Sequence, residues 1–187
     1  MPCSEIPLRG AHNLENVLAG ISIGMLAGCQ PDQIRKAVRN FKAVEHRLEF
    51  VAKVADVDYY NDSKATNVDA TIKALEAFPA NVHLHLILGG KDKGSDYTVL
   101  RGPLSQKARA AMLIGAAAAK IRKQIEGAVP LYDSRTLDVA VHDAYGLARP
   151  GDTVLLAPAC ASFDQFDNYE HRGRAFKALA AQLEPNQ

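Results

Sequence analysis

The chain has 187 residues, enough to bury one sizeable core and short for two complete domains. Hydrophobic residues make up 48% of it and charged ones 23%, which excludes a disordered or collagen-like chain. With 22 Lys and Arg against 21 Asp and Glu the net charge is +1, so no global field draws the chain to nucleic acid or to an anionic membrane, and any anion binding has to be local.

Cys3, Cys29 and Cys160 show neither a CxxC pair nor ligand spacing with the histidines, and the first residues do not read as a signal peptide; a reducing, cytosolic setting is expected. The Ala-rich run 108–119 is interrupted by Arg109 and Gly115 and falls short of the ~18 apolar residues that a membrane helix needs.

In chain order, residues 13–27 set Leu14, Val17, Leu18, Ile21, Met25 and Leu26 near one face, which predicts a helix with Asn13 as its N-cap. A second helix is expected over 31–40, opened by Pro31 and Asp32. Beyond the connector "FKAVEHRLEF" the texture changes. "EFVAKV" and "VDYYND" predict a hairpin turning at Ala55 and Asp56. "ATIKALEAF" predicts a helix, "HLHLILGG" a strand, "YTVLRGPLSQKA" a weak helix and "AAMLIG" a strand. "AAAKIRKQIEG" is again helical, "VPLYD" a short strand, "TLDVAVHDAYGLA" a helix, "TVLLAP" a strand and "FDNYEHRGRAFKALAAQL" a closing helix. Strands and helices alternating at this spacing predict an α/β fold built on an open, mostly parallel sheet. The two leading helices have no sheet of their own, which places a domain boundary near residue 43. It makes residues 1–43 the tail of a preceding domain in a truncated chain.

In a parallel α/β sheet, ligands gather beyond the carboxyl ends of the strands, and polar residues crowd there at three junctions. In "YYNDSKATN", Asp62 suits a ribose hydroxyl or a metal-bound water and Lys64 an anion, while Thr66 and Asp69 have the spacing of a capping box; the same residues also serve as an ordinary turn and cap. In "LILGGKDKGSD", Gly89 and Gly90 would let backbone approach a ligand, with Lys91 and Lys93 beside them. Ser95 and Asp96 stand where a triphosphate loop needs Lys and Ser or Thr, so that motif is rejected, and anion binding competes evenly with a plain glycine turn. In "VLLAPACASFDQF", Ser162 and Asp164 lead towards the last helix, whose N-terminus favours an anion. Cys160 has no histidine at local spacing to activate it and reads as a buried core cysteine. "HNLEN" and "EHR" add His12, Asn13, Asn16, Glu45, His46 and Arg47. The six histidines show no metal spacing, so no metal site is expected.

Taken together, "HNLEN", "EHRLEF", "NDSKATN", "LGGKDKGSD" and "PACASFDQFDNYEHRG" resemble the C-terminal part of a Mur ligase, over about residues 9–183, and of the D-glutamate-adding branch in particular. The resemblance implies a Rossmann-like, mostly parallel six-stranded sheet flanked by helices over residues 44–187. Residues 1–43 would be the last helices of a central ATP-binding domain. It implies ATP and Mg2+ as cofactors, with UDP-N-acetylmuramoyl-L-alanine and D-glutamate as substrates of a monomer that neither binds nucleic acid nor inserts in a membrane. By the same resemblance, Lys64, Thr66, Lys93, Ser162 and Tyr169 match D-glutamate contacts, and Asn16, Arg47 and Asp62 match nucleotide contacts. Tyr169 departs from the Phe common at its position. These residues contain no GxxxxGK[ST] loop, no carbamylatable lysine and no Mg2+-binding acids of the central domain, so they are not expected to turn over alone. Alternatives are a related ligase of the folylpolyglutamate type, or a non-catalytic nucleotide- or amino-acid-binding module. The Asp-Asn-Pro-Arg motif of diaminopimelate-adding ligases and the GxGxxG fingerprint of a nicotinamide oxidoreductase are both absent from the sequence.

Overall fold

The computed structural model describes residues 1–8, 10–41 and 44–183, with the side chains of Ser4, Ala11 and His12 left aside. The chain divides into two compact units, Met1–Glu45 and His46–Gln187. The boundary expected near residue 43 falls on Lys42 and Ala43, outside the described residues.

The first unit is a pair of helices, α1 (Ala11–Leu26) and α2 (Pro31–Arg39). Helix α1 begins two residues before Asn13. Its N-cap is Gly10, whose φ of 92° an L side chain rarely adopts, so Asn13 lies inside the first turn instead of capping it. Pro31 stands at the first position of α2, and Gln30 and Gln33 cap it reciprocally. Val17, Ile21, Ile34, Val38 and Phe41 line an apolar groove of about 600 Å³ between the helices. No described residue of this unit is buried, and Ile23 and Leu26 are largely exposed.

The second unit carries strands β1 (Glu49–Val54), β2 (Val57–Asn61), β3 (Leu84–Gly89), β4 (Ala108–Ile114), β5 (Leu131–Arg135) and β6 (Thr153–Leu156), in the spatial order β1-β2-β6-β3-β4-β5. Only β1 runs antiparallel; Ala55 and Asp56, both at positive φ, form the tight turn that joins it to β2. All six residues of β3 are buried, as expected of a central parallel strand covered on both faces. Helices α3 (Val68–Glu76), α4 (Arg101–Lys107) and α5 (Ala118–Ile125) close one face over Leu86, Leu88, Leu113 and Leu155. Helices α6 (Leu137–Leu147) and α7 (Tyr169–Ala181) close the other over Ile87, Met112 and Val154, with Phe176 of α7 in the same cluster.

The sequence of strands and helices is the expected one, with two shifts. The weak helix before β4 is a 3-10 turn, Thr98–Leu100, running into α4, and the closing helix starts at Tyr169, so that residues 163–168 are loop. Because β6 inserts between β2 and β3, the direction of winding reverses there, and the carboxyl ends of β2, β6 and β3 face a common crevice. No helix of the described residues is long and apolar enough to cross a membrane.

Candidate functional site

Strand β2 delivers Asn61, Asp62, Ser63 and Lys64 to the crevice. The Asp62 amide donates to the Leu156 carbonyl at 2.8 Å, so the ladder with β6 extends one residue beyond the strand and fixes where the loop starts. Asp62 is 8% exposed. Burial pushes its carboxyl up to about 6, against the smaller opposing pulls of the Leu48 amide and the Arg47 guanidinium. Arg47 itself is exposed.

Lys64 is half-buried, with Nζ 3.1 Å from the Tyr169 hydroxyl and 4.3 Å from the centre of its ring. It makes no ion pair with a carboxylate among the described residues. The Thr66 amide donates to the Lys64 carbonyl at 2.7 Å, which curls the chain into α3. The cap of α3 is Asn67, whose Oδ1 accepts from the Ala70 amide at 2.8 Å. The capping box expected from Thr66 and Asp69 therefore does not form: the cap sits one residue later, and Thr66 stays half-buried at the loop.

Beneath this loop lies a polar layer. Arg172 of α7, 1% exposed, donates to the Ser63 hydroxyl and carbonyl and, through both terminal nitrogens, to the Cys160 carbonyl. The Ser63 hydroxyl in turn donates to the Tyr169 carbonyl at 2.8 Å. Asn61 reaches His46 at 2.9 Å and Glu49 at 3.0 Å, and Glu49 holds Lys177 at 2.6 Å. His46 is buried and packs so closely on Gly173 that a Cβ there would lie 2.2 Å from its Nδ1. Sequence reasoning missed Asn61, Arg172 and Gly173. An arginine in the first turn of an amphipathic helix carries no mark of being buried, and only the fold brings it beside Ser63.

The loop after β3 differs from expectation in what its glycines are for. A Cβ at Gly89 would lie 1.9 Å from the Ile114 carbonyl oxygen, and one at Gly90 2.3 Å from that of Ala161. They make room for neighbouring backbone, closing the loops of β3, β4 and β6 on one another. Lys91 pairs with Ala161 in both directions, at 2.8 and 3.2 Å. Asp92 organises the rest: it accepts from the Gly94 and Ser95 amides, the Tyr97 hydroxyl and Lys120. Lys120 above all holds its carboxyl down at about 2. Lys91 and Lys93 are exposed.

Ser162 is buried beyond β6, its carbonyl accepting from the Gln165 and Phe166 amides. It lies in a loop turn and not at the N-terminus of α7, whose cap is Asn168. The turn is held by Asp164, which accepts from the Ala116 amide at 2.9 Å. Cys160 is buried as expected. Burial pushes its thiol up to about 11, and its sulfur lies 3.0 Å from the Tyr97 hydroxyl, which rules it out as a ready nucleophile.

Of the residues singled out in the sequence, Asp62, Lys64, Thr66, Lys93, Ser162 and Tyr169 all stand on the loops or helix start at this end of the sheet, and Lys64 and Tyr169 touch. The Lys93 and Ser162 loops are tied through the Lys91–Ala161 bridge. Asn16 belongs to α1 in the first unit and is exposed, 3.5 Å from Asn13; the side chain of His12 lies outside the described residues. Chemically the crevice offers cations without ion-pair partners, a buried serine and a weakly acidic carboxyl, a set suited to a ligand carrying separated carboxylates together with hydroxyl groups.

Residues 46–160 match the family model described as Mur ligase, glutamate ligase domain. UDP-N-acetylmuramoylalanine–D-glutamate ligase of Solibacter usitatus is 64% identical over 185 residues, covering 99% of this chain and 41% of that protein. Among solved structures, a pseudomurein peptide ligase type C from Methanothermus fervidus superposes with a TM-score of 0.69 at 19% identity, over 95% of this chain and 37% of its own. Folylpolyglutamate synthase of Mycobacterium tuberculosis, complexed with ADP, gives 0.67 at 16% identity, over 97% and 42%. The chain thus spans about two-fifths of the length of the relatives it matches.

Proposed function

The chain belongs to the Mur ligase family, and on that premise we propose that it serves as the C-terminal part of an ATP-dependent ligase that joins D-glutamate to UDP-N-acetylmuramoyl-L-alanine. Residues 44–187 are the domain that receives the amino acid, and residues 1–43 the closing helices of the central ATP-binding domain. In such a ligase ATP would supply the phosphoryl group that activates the carboxylate of UDP-N-acetylmuramoyl-L-alanine, and attack by the amine of D-glutamate would form the amide and release phosphate.

The observation that carries the reading is Lys64: a half-buried ammonium set on the Tyr169 ring at the carboxyl end of a strand, in no direct ion pair among the described residues, with Glu170 near enough to feel its charge. Lys64 and Thr66 receive one carboxylate of D-glutamate, while Lys93 and Ser162 receive the other. Tyr169 holds Lys64 in place. Two separate anchors fix the direction of a dicarboxylate and leave its amine free, so the contribution of this domain is positioning and electrostatics. Burying Ser162 and Lys64 against the ligand also excludes water from the bond being made.

The residues fit a nucleotide in the same terms. Asp62, mostly ionised at neutral pH even with its carboxyl pushed up to about 6, accepts hydrogen bonds from ribose hydroxyls, and exposed Arg47 supplies a cation. Asn16 is the contact expected from the central-domain helices. Mg2+ and the triphosphate fall to parts of such a ligase that these residues do not include.

The test is a titration of the isotopically labelled chain with D-glutamate and, separately, L-glutamate, followed by backbone amide shifts. Saturable shifts at Lys64, Thr66, Lys93 and 162–169 for the D isomer alone are expected. An equal response to both isomers, or none at millimolar ligand, overturns the assignment of this crevice as the D-glutamate site.

A further inference from the structure

The triplet Lys91-Asp92-Lys93 poses an electrostatic problem. An acid between two lysines on a solvated loop ordinarily pairs with one of them and cancels it, which would spoil an anion site. In the structure Asp92 pairs with neither neighbour. Asp92 turns inward, where Lys120 of α5 meets its Oδ2 at 2.8 Å and the Tyr97 hydroxyl meets its Oδ1 at 2.8 Å. Two backbone amides, of Gly94 and Ser95, complete its acceptor sites at 3.1 and 3.2 Å. Tyr97 is fully buried and joins this arrangement to Cys160 on the β6 loop, and Lys120 lies 5.4 Å from the centre of the Tyr97 ring. Lys91 and Lys93 form no ion pair among the described residues.

We propose that Lys120 is a positioning residue for the amino-acid site: by drawing Asp92 inward it keeps Lys91 and Lys93 unpaired for an incoming dicarboxylate, without touching that ligand itself. The inference rests on the D-glutamate reading above. Lys120 acts from a helix fixed against the sheet, so the charge separation is built into the fold and is present before ligand arrives. Without Lys120, the Asp92 carboxylate loses its cation and turns to the nearest ones left, the lysines that flank it.

The experiment compares D-glutamate affinity, by amide-shift titration of the labelled chain, across wild type, Lys120→Met, Lys120→Arg and the double variant Lys120→Met with Asp92→Asn. Lys120→Met is expected to weaken binding about tenfold and Lys120→Arg to stay within about twofold of wild type. The double variant is expected to recover most of the loss, because the carboxamide it places on the loop keeps an acceptor oxygen for Tyr97 and the loop amides but cannot neutralise Lys93. A carbon-detected titration of Asp92 reports the mechanism separately: its midpoint rises in Lys120→Met and stays low in Lys120→Arg. If Lys120→Met binds as tightly as wild type, or if the double variant stays as weak as the single one, the inference is overturned while the D-glutamate reading stands. A wild-type chain that does not bind D-glutamate overturns both.

Discussion

Arg172 and Ser63, 109 residues apart, are joined by two hydrogen bonds: Nε to the hydroxyl at 2.9 Å and Nη2 to the carbonyl at 2.8 Å. The guanidinium thereby stitches the loop after β2 to the loop after β6, since it also holds the Cys160 carbonyl. Burial lowers its pKa to about 10, which still leaves it charged at neutral pH. Arg172→Met would keep the bulk and remove all four hydrogen bonds, leaving two buried carbonyls without this donor. The expected loss is about 3 kcal/mol in urea unfolding, with less than half recovered by Arg172→Lys, because one ammonium cannot span both loops. A loss under about 1 kcal/mol would show that Arg172 is not what joins them.

The glycines of the β3 loop separate two kinds of constraint. Gly89 has a φ of 125° and no room for a Cβ, whereas Gly94 has a φ of 84° and open space around it. Gly89→Ala is expected to cost more than about 3 kcal/mol, because the Ile114 carbonyl is backbone and has nowhere to go. Gly94→Ala should cost only the left-handed penalty of about 1–2 kcal/mol. Thermal unfolding of the two variants side by side checks the contrast; equal losses would mean that conformation alone, and not contact, governs Gly89.

This contrast bears on what the sequence could disclose. The alternation of apolar runs and helical faces located the six strands and seven α-helices of the described residues, because periodicity reflects burial on each face directly. The loops bearing Asp62, Lys93 and Ser162 were legible because polar residues stand at strand ends, where a parallel sheet puts its ligands. What was not legible depends on partners distant in the chain. Gly89 reads as a place for a ligand until Ile114 is seen beside it, and nothing in the sequence singles out Arg172 or Asp92, whose partners Ser63 and Lys120 only the fold brings to them. Capping was misplaced by one residue at α3, since Thr66 and Asn67 are both good caps and only the curl at Lys64 chooses between them.

Asp62 gives the protein a pH dependence that can be isolated. In the unfolded chain its carboxyl titrates near 3.8, and in the folded chain near 6. Between those values the folded state binds the extra proton, so the stabilisation is fully present below about 3.8 and is lost as pH rises through about 6. A gap of about two pH units corresponds to about 3 kcal/mol. Asp62→Asn, a permanently neutral stand-in, removes this component: the difference in unfolding free energy between variant and wild type should grow from about pH 4 to about pH 7 and then level off. A difference that stays flat across that range would place the titration of Asp62 outside it.

Tyr169 holds Lys64 in two ways, through its hydroxyl and through its ring. Tyr169→Phe removes the first and keeps the second, and a partly solvated hydrogen bond of this kind is worth about 0.5–1 kcal/mol at most. Since Phe keeps the ring on which Lys64 rests, D-glutamate affinity should change by less than about threefold, and the chain should lose under about 1 kcal/mol of stability. Tyr169→Ala removes both supports and frees the Lys64 stem to sample other rotamers, so its affinity should fall by about tenfold or more through lost preorganisation. Binding curves for the three side chains therefore form a graded series. A Phe variant as weak as Ala would assign the positioning of Lys64 to the hydroxyl, and an Ala variant as tight as wild type would remove Tyr169 from the site.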